Sequence, residues 1–207
     1  MANIKILTEL ESDLLAELFN IGVGRAADAL SQMVNQEILL SVPSIEFMTT
    51  NEMTIKIGKS EKICGIGQEI SGVLSAQSLL LFPESSSIEV VRQMLGDHLP
   101  DEVLLEMQQE AMNEIGNIVL NACIGSISNA LGQSISVELP NFYFDETESL
   151  LAMAVKDTND IVLFMTIDMT LTESEVVGYL AFLLGPMSLR SLQQQLKKIL
   201  SATVGSL

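Results

Sequence analysis

The sequence has no tryptophan, one histidine (His98), two cysteines, and 10 Lys and Arg set against 27 Asp and Glu. Each shortage closes off a class of chemistry. A single histidine cannot build an HExxH zinc motif or a His-rich metal site. Cys64 and Cys123 stand 59 positions apart and form no CxxC pair, so they read as reduced, buried thiols of a cytosolic protein. A net charge of −17 repels phosphate backbones and anionic lipid, which argues against nucleic acid and membrane as partners. No apolar run approaches the roughly 18 residues that a membrane-spanning helix needs. The first residues, Met1 to Leu7, read as the approach to a helix rather than a cleavable leader. Cytoplasmic localisation is the expectation.

What is present is aliphatic. Apolar residues make up 48% of the 207 positions and aromatics only 4%, with 11 Met, so a core of aliphatic side chains and Met is expected within one domain. A helix is expected from Thr8, because Thr8 and Glu11 have the spacing of a capping box and Glu9, Glu11 and Asp13 suit the positive end of the helix dipole. Glu37 to Phe47 reads as strand, with Pro43 marking an edge or a bulge. Lys56–Ile57, Ile63–Ile70 and Val73–Phe82 read as further strands, with Gly65, Gly67 and Gly72 near bends. A short helix, Ile88 to Leu95, follows Pro83, with Ser85 to Ser87 as its N-cap cluster.

The order then begins again. Asp101 to Leu131 reads as a long helix ended by Gly132, and Ser134 to Phe144 as a strand segment carrying Pro140. Leu150–Val155, Ile161–Met169 and Val176–Leu184 read as strands, and a closing helix runs from Leu189 to Leu200 after Pro186. Glu17 and Glu114, Asn20 and Asn117, and Pro43 and Pro140 all differ by 97. This is the signature of an internal repeat. The expected fold class is α/β of the α+β type: internally duplicated, pseudo-twofold, with a mostly antiparallel sheet packed against two long helices and shorter accessory helices. The two repeats would run over about 8–98 and 101–204 and share one continuous core.

On a helical wheel Asp13, Glu17 and Asn20 fall at about 0°, 40° and −20°, and Leu14, Leu15, Leu18 and Ile21 are expected on the far, core-facing side. Glu110, Glu114 and Asn117 take the same three angles in the second helix. Gly24 and Asn121 match one turn further on, both short enough to leave room for a partner. Acidic residues on an exposed helix face are ordinarily just solvated. Asn inside a helix costs propensity, and meeting that cost twice at equivalent places needs a reason. Symmetric capping of the neighbouring sheet is one; a functional carboxylate–carboxamide pair is the other.

The strings Asp13-x3-Glu17-x2-Asn20-x22-Pro43 and Glu110-x3-Glu114-x2-Asn117-x22-Pro140 resemble the duplicated signature of the CheC/CheX/FliY family of chemotaxis phosphatases. The first copy meets every position; the second has Glu110 where the family has Asp or Ser. The length and the lack of an appended flagellar-switch segment are most similar to the CheC-like branch. The resemblance implies a single CheC-like domain over 1–207 and a phosphorylated CheY-type response regulator as substrate, dephosphorylated at its aspartate. It implies Glu17, Asn20, Glu114 and Asn117 as catalytic residues, with Asp13, Glu110, Pro43 and Pro140 in support. Glu would dock on the regulator's active-site Lys. Asn would orient the attacking water, since a carboxamide donates and accepts hydrogen bonds without titrating or repelling a phosphoryl group. No cofactor of its own is implied; Mg2+ is expected in the regulator's site. The first site is expected to be active because its motif is complete.

CheD, a receptor-modifying deamidase, is a second partner that the resemblance allows, and a non-catalytic adaptor binding CheY or CheD is the competing reading. A flagellar-switch component is a third. The remaining features read as ordinary: Met33, Met48, Met53, Met94, Met107 and Met112 as core filler, His98 as a surface turn residue, and Gly65-Ile-Gly67 as an incomplete dinucleotide motif. Arg190, Lys197 and Lys198 suit the C-terminal half of a helix. Four acids lie between Thr8 and Asn20 and five between Asp101 and Asn117, with no base in either stretch. The negative charge therefore gathers on the two helices that carry the repeated motif.

Overall fold

In the computed structural model the described residues are 6–42, 44–96, 99–154, 160–171 and 174–204. Pro43 and His98 lie outside them. The chain starts its first helix, α1 (Glu9–Val34), where the sequence sets the cap. Thr8 accepts the Glu11 backbone N–H, and the Glu11 carboxylate takes the Thr8 N–H at 2.8 Å. Strands β1 (Ile38–Ser41) and β2 (Ile45–Thr49) follow, then helix α2 (Thr50–Ile57), strands β3 (Lys62–Gly72) and β4 (Ala76–Pro83), and helix α3 (Glu84–Leu95). The second half runs α4 (Asp101–Leu131), β5 (Ile135–Val137), β6 (Asn141–Glu146), α5 (Thr147–Ala154), β7 (Ile161–Leu171), β8 (Ser174–Leu184) and α6 (Pro186–Val204).

These strands all join one antiparallel sheet. Its path is β1-β7-β8-β4-β3-β5, with β2 extending along β7 beside β1, and β6 along β3 beside β5. Each half thus lends its long second hairpin to the middle and its short first pair to the opposite half's strand. The mixed helix and antiparallel-sheet class read from the sequence is the observed one.

Alternation along the strands sorts the side chains onto two faces. Leu80, Phe82, Leu163, Met165, Leu180 and Phe182 face the larger core, which α1, α3, α4 and α6 cover. Leu79, Leu81, Val162, Phe164, Ala181 and Leu183 face a second, smaller core closed by Met53 of α2 and Leu150, Leu151 and Ala154 of α5. The expected single core is therefore two, one on each side of the sheet.

That second core explains two corrections. Lys56–Ile57 and Leu150–Val155 are not strands: Lys56 and Ile57 close helix α2, and Leu150 to Ala154 belong to helix α5, with Val155 outside the described residues. The signal for α2 was a second capping box, Thr49 with Glu52, hidden beneath β-branched Thr54, Ile55 and Ile57. Gly65 and Gly67 sit inside β3 rather than at bends, where a Cβ would meet Leu150 and Tyr143 side chains. The Ser85 to Ser87 cluster does not cap α3, whose N-cap is Pro83 without a side-chain bond. Ser87 instead donates to the Glu84 carbonyl and accepts from Gln108 of α4 at 2.8 Å. Met48, Met53 and Met112 are buried, but Met33 and Met107 are exposed.

The two long helices pack antiparallel at a very short distance. A Cβ on Gly22 of α1 would lie 2.7 Å from the Cys123 Cα of α4, and the Ser126 hydroxyl donates to the Leu18 carbonyl at 2.8 Å. Only glycine permits that approach. Asn20 and Asn117 are consequently staggered by about two helical turns along the paired axes.

Candidate active site: two helix-borne carboxamides

Asp13, Glu17 and Asn20 lie on the exposed side of α1, and Glu110 and Glu114 on the exposed side of α4, while Asn117 is half-buried. Among the described residues none of the four carboxylates forms an ion pair. Each Glu precedes its Asn by three positions, so the two side chains stand one above the other on the helix surface. Ile21, expected in the core, is 39% exposed on α1's outer side. The wheel sets it near Glu17, and Phe19 rather than Ile21 fills the interior.

Sequence reasoning places no apolar residue on these stripes: it does not single out Leu10 and reads Met107 as core filler. Leu10 is 68% exposed on α1 and Met107, 97 positions later, is 38% exposed on α4. Each lies one turn ahead of the acid that opens its motif. A face that mixes exposed apolar groups with unpaired carboxylates suits docking onto a basic protein surface.

The two Asn side chains differ in their surroundings. Val42, just past the end of β1, donates its backbone N–H to Asn20 Oδ1 at 3.2 Å. That bond is sheet capping, one of the two reasons weighed for the repeated Asn, and it engages the Oδ1 end of an otherwise exposed side chain. Asn117 does not repeat it. Its Oδ1 accepts from Gln68 Nε2 of β3 at 3.2 Å and from Asn121 Nδ2, one turn along α4, at 2.7 Å.

Gly116 makes the Gln68 contact possible. A Cβ there would come within 2.4 Å of Ile66 Cγ2, so α4 lies directly on β3 beside Asn117. At the matched place α1 carries Phe19, whose ring packs on Phe182 with centroids 5.4 Å apart.

Around Asn117 two adjoining depressions open. One, of about 580 Å³, is lined by Glu110, Asn113, Glu114, Asn117 and Pro140 among others. The other, of about 520 Å³, is lined by Gln68, Asn117, Asn121, Pro140 and Asn141. Pro140 lies between β5 and β6 and forms part of both walls, next to Leu139, which is 84% exposed. The structure thus gathers Glu110, Glu114, Asn117 and Pro140 at one place, and Asp13, Glu17 and Asn20 on one helix face. Gln68, Asn113 and Asn121 also line these depressions; the sequence singled out Asn121 only for its small size and did not point to Gln68 or Asn113. A lone Gln in the otherwise apolar and glycine-rich run Ile63 to Gln68 was the available signal.

Among the described residues, two buried side-chain polar atoms have no hydrogen-bond partner, Gln68 Oε1 and Asn113 Oδ1. Both belong to residues lining the depressions around Asn117. No three His, Cys, Asp or Glu among the described residues gather as metal ligands, and no described helix is long and apolar enough to cross a membrane.

Comparison with known proteins bears on this geometry. The model of the CheC-like family matches residues 10–46, the stretch holding Asp13, Glu17, Asn20 and Pro43. The CheY-P phosphatase CheC of Bacillus subtilis is 22% identical over 161 residues, 75% of this chain and 76% of that protein. The crystal structure of Thermotoga maritima FliY superposes with a TM-score of 0.75 at 18% identity, covering 93% of this chain and 98% of that one. The Borrelia burgdorferi CheX–CheY–BeF3–Mg2+ complex gives a TM-score of 0.50 at 14% identity over 82% of this chain and 97% of that one. The FliM middle domain of H. pylori has a TM-score of 0.62 at 10% identity over 91% and 99%. The resemblance to the CheC-like family seen in the sequence is upheld, and the fold is that of FliY. Because FliM shares the fold, any functional assignment has to rest on the residues of the site.

Proposed function

We propose that this chain is a phosphatase for the aspartyl phosphate of a CheY-type response regulator, with Asn20 and Asn117 as the water-positioning residues. The observation that carries the reading is the recurrence of a carboxylate and a carboxamide one turn apart on the exposed sides of α1 and α4. The names of the relatives, CheC above all, supply the substrate class.

An acyl phosphate is hydrolysed when water attacks phosphorus in line with the leaving carboxylate. The new P–O bond forms as the old one breaks, so inorganic phosphate leaves and the regulator's aspartate carboxylate is restored. Such a reaction depends mainly on placing the water, because the leaving group is already good. Asn supplies a donor and an acceptor without charge, so it can hold water beside a phosphoryl group that a carboxylate would repel. Glu17 and Glu114, exposed and unpaired, serve docking: each offers an acceptor pair to the regulator's Lys, with Asp13 and Glu110 adding charge from the preceding turn. Leu10 and Met107 add apolar contact on the same faces. Pro140 shapes the wall against which Asn117 works, and Pro43 is assigned the matching part at the first site. Mg2+ belongs to the regulator's own pocket; the Borrelia burgdorferi CheX–CheY complex likewise contains Mg2+ and BeF3.

The two halves, about 8–98 and 101–204, are in this reading repeats of one unit within a single domain. Their identical element order and the matched places of their strands in the sheet support it. The site is duplicated with the fold.

The test is phosphate release from a phosphorylated CheY-type regulator in the presence of the wild type and the Asn20→Ala/Asn117→Ala double variant. The wild type accelerates release and the double variant does not. Binding of the regulator without acceleration by the wild type would instead identify an adaptor, with CheD as the further ligand to try.

A further inference from the structure

The second site is surrounded by polar groups that the first lacks. Ile70 of β3 pairs with Val137, and Met169 of β7 pairs with Leu40. Gln68 and Ile167 each lie two residues before those positions, so they occupy equivalent places under α4 and α1. Gln68 is 1% exposed and Ile167 equally buried. Asn121 likewise has Gly24 as its counterpart, and a Cβ on Gly24 would have no atom within 4 Å. Gly116, which lets α4 settle on β3, stands where α1 has Phe19. Three differences thus converge on one amide.

A carboxamide on a helix surface turns freely about its last torsion, exchanging its donor and acceptor ends. Two donors aimed at one oxygen remove that freedom. Gln68 approaches from the sheet and Asn121 from the same helix, and both donate to Asn117 Oδ1. With the oxygen held, the Nδ2 end is the one left to act, and Asn117 lines both depressions, one together with Glu114 and both with Pro140. A buried amide whose oxygen has no partner, as in Gln68, is costly to keep, and the matched position shows that the fold accepts an apolar residue there.

We infer that Gln68 and Asn121 are positioning residues for the second site: they fix the Asn117 amide in one orientation, so that this site is set for water placement before the regulator arrives. At the first site the matched positions hold Ile167 and Gly24, which offer no side-chain donor, and among the described residues Asn20 is held by the Val42 N–H. The inference rests on the phosphatase reading. It adds to that reading which groups orient the carboxamide and why the two copies are unequal.

The experiment isolates the second site in the Asn20→Ala protein and measures steady-state release from a phosphorylated CheY-type regulator. In that background Gln68→Ile, which copies the first half, and Asn121→Ala each lower kcat about tenfold with KM unchanged, since orientation acts on the reacting geometry rather than on docking. Tm recorded alongside stays within a few degrees of the parent. If both variants keep kcat within about twofold of the parent, if KM alone rises, or if the fall merely follows a loss of Tm, the inference is wrong. Asn121 is exposed, so its variant decides the matter even where Gln68→Ile folds poorly. Asn117→Ala in the same background is the control. If it removes the activity while the two positioning variants do not, the phosphatase reading stands and this inference alone falls. If it leaves the activity untouched, Asn117 does not place the water, and that part of the phosphatase reading falls together with the inference; if the parent shows no release at all, both fall for the second site.

Discussion

Gln68 of β3, in the first half of the chain, donates a side-chain hydrogen bond of 3.2 Å to Asn117 of α4, in the second. The bond exists because Gly116 lets the helix down onto Ile66, and because β3 crosses from the first half to pair with β5 and β6 of the second. A residue of one half thus acts in the site of the other. Neither half alone would hold Asn117 as the whole sheet does.

Asn20 carries two duties that substitution can separate. Its Oδ1 caps the Val42 N–H, and its Nδ2 is the donor that this exposed residue has left for the reaction. Asn20→Ala removes both and is expected to cost about 1 kcal/mol of stability through the uncapped amide. Asn20→Asp keeps an acceptor for Val42 and loses only the donor. In the Asn117→Ala background, Asn20→Asp should therefore unfold in urea at the parent's midpoint while its phosphate release falls about a hundredfold. A midpoint that drops as far as that of Asn20→Ala would show that the cap is not what holds the amide.

The carboxylates should be read out in docking. Glu17→Gln and Glu114→Gln keep shape and remove charge from exposed, unpaired positions. The double variant is expected to raise KM several-fold, roughly the 1 kcal/mol scale of an exposed ion pair, and to leave kcat less affected. Raising salt should weaken the wild type toward the variant, because exposed charges are screened beyond about 10 Å at 0.1 M. Equal salt dependence in the two proteins would remove Glu17 and Glu114 from the docking surface.

Much of the site was legible because it is written on helices. Thr8, Glu11, Gly132 and the long apolar periodicity set α1 and α4, and the 97-residue spacing set Glu and Asn on them. The long strands of the sheet were also clear, at Ile63–Ile70, Ile161–Met169 and Val176–Leu184. What did not show were the elements decided by tertiary contact. Helices α2 and α5 are eight residues each, too short to be stable by propensity, and form because Met53 and Leu150 close the second face of the sheet. Gln68 stayed hidden for the same reason. Its importance lies in the register of β3 beneath α4, which no local pattern records.

Two glycines give opposite expectations from their surroundings. Gly116→Ala would push a methyl to 2.4 Å from Ile66 Cγ2, so α4 must lift or β3 must shift, and a loss of about 1–3 kcal/mol is expected from overpacking. Gly24→Ala meets nothing within 4 Å and exchanges a helix-interior glycine for the best helix former, a gain of about 0.5–1 kcal/mol. Urea unfolding measures both. A neutral Gly116→Ala would mean that α4 can leave β3 at little cost, and the Gln68 contact would lose its structural basis.

The buried thiols make stability fall at alkaline pH. Burial pushes Cys123 from 9.0 up to about 12, and burial does the same to Cys64, up to about 12, against an opposing hydrogen bond from Ser87. Between those values the unfolded chain releases thiol protons that the folded chain retains. The stabilisation is therefore whole below pH 9 and is lost as pH rises toward 12. Tyr179, raised by burial and by Glu61, acts in the same direction. Urea midpoints should thus decline steadily above about pH 9, and less steeply in a Cys64→Ala/Cys123→Ala protein. The same protonation predicts that iodoacetamide leaves the native chain unlabelled at about pH 8.5, because the thiolate is the nucleophile and neither sulfur is exposed. In urea both cysteines react, which mass spectrometry reads as two adducts. Labelling of the native protein, or an alkaline slope unchanged by the double substitution, would contradict the burial that locks α1 against α4 at Gly22 and Cys123.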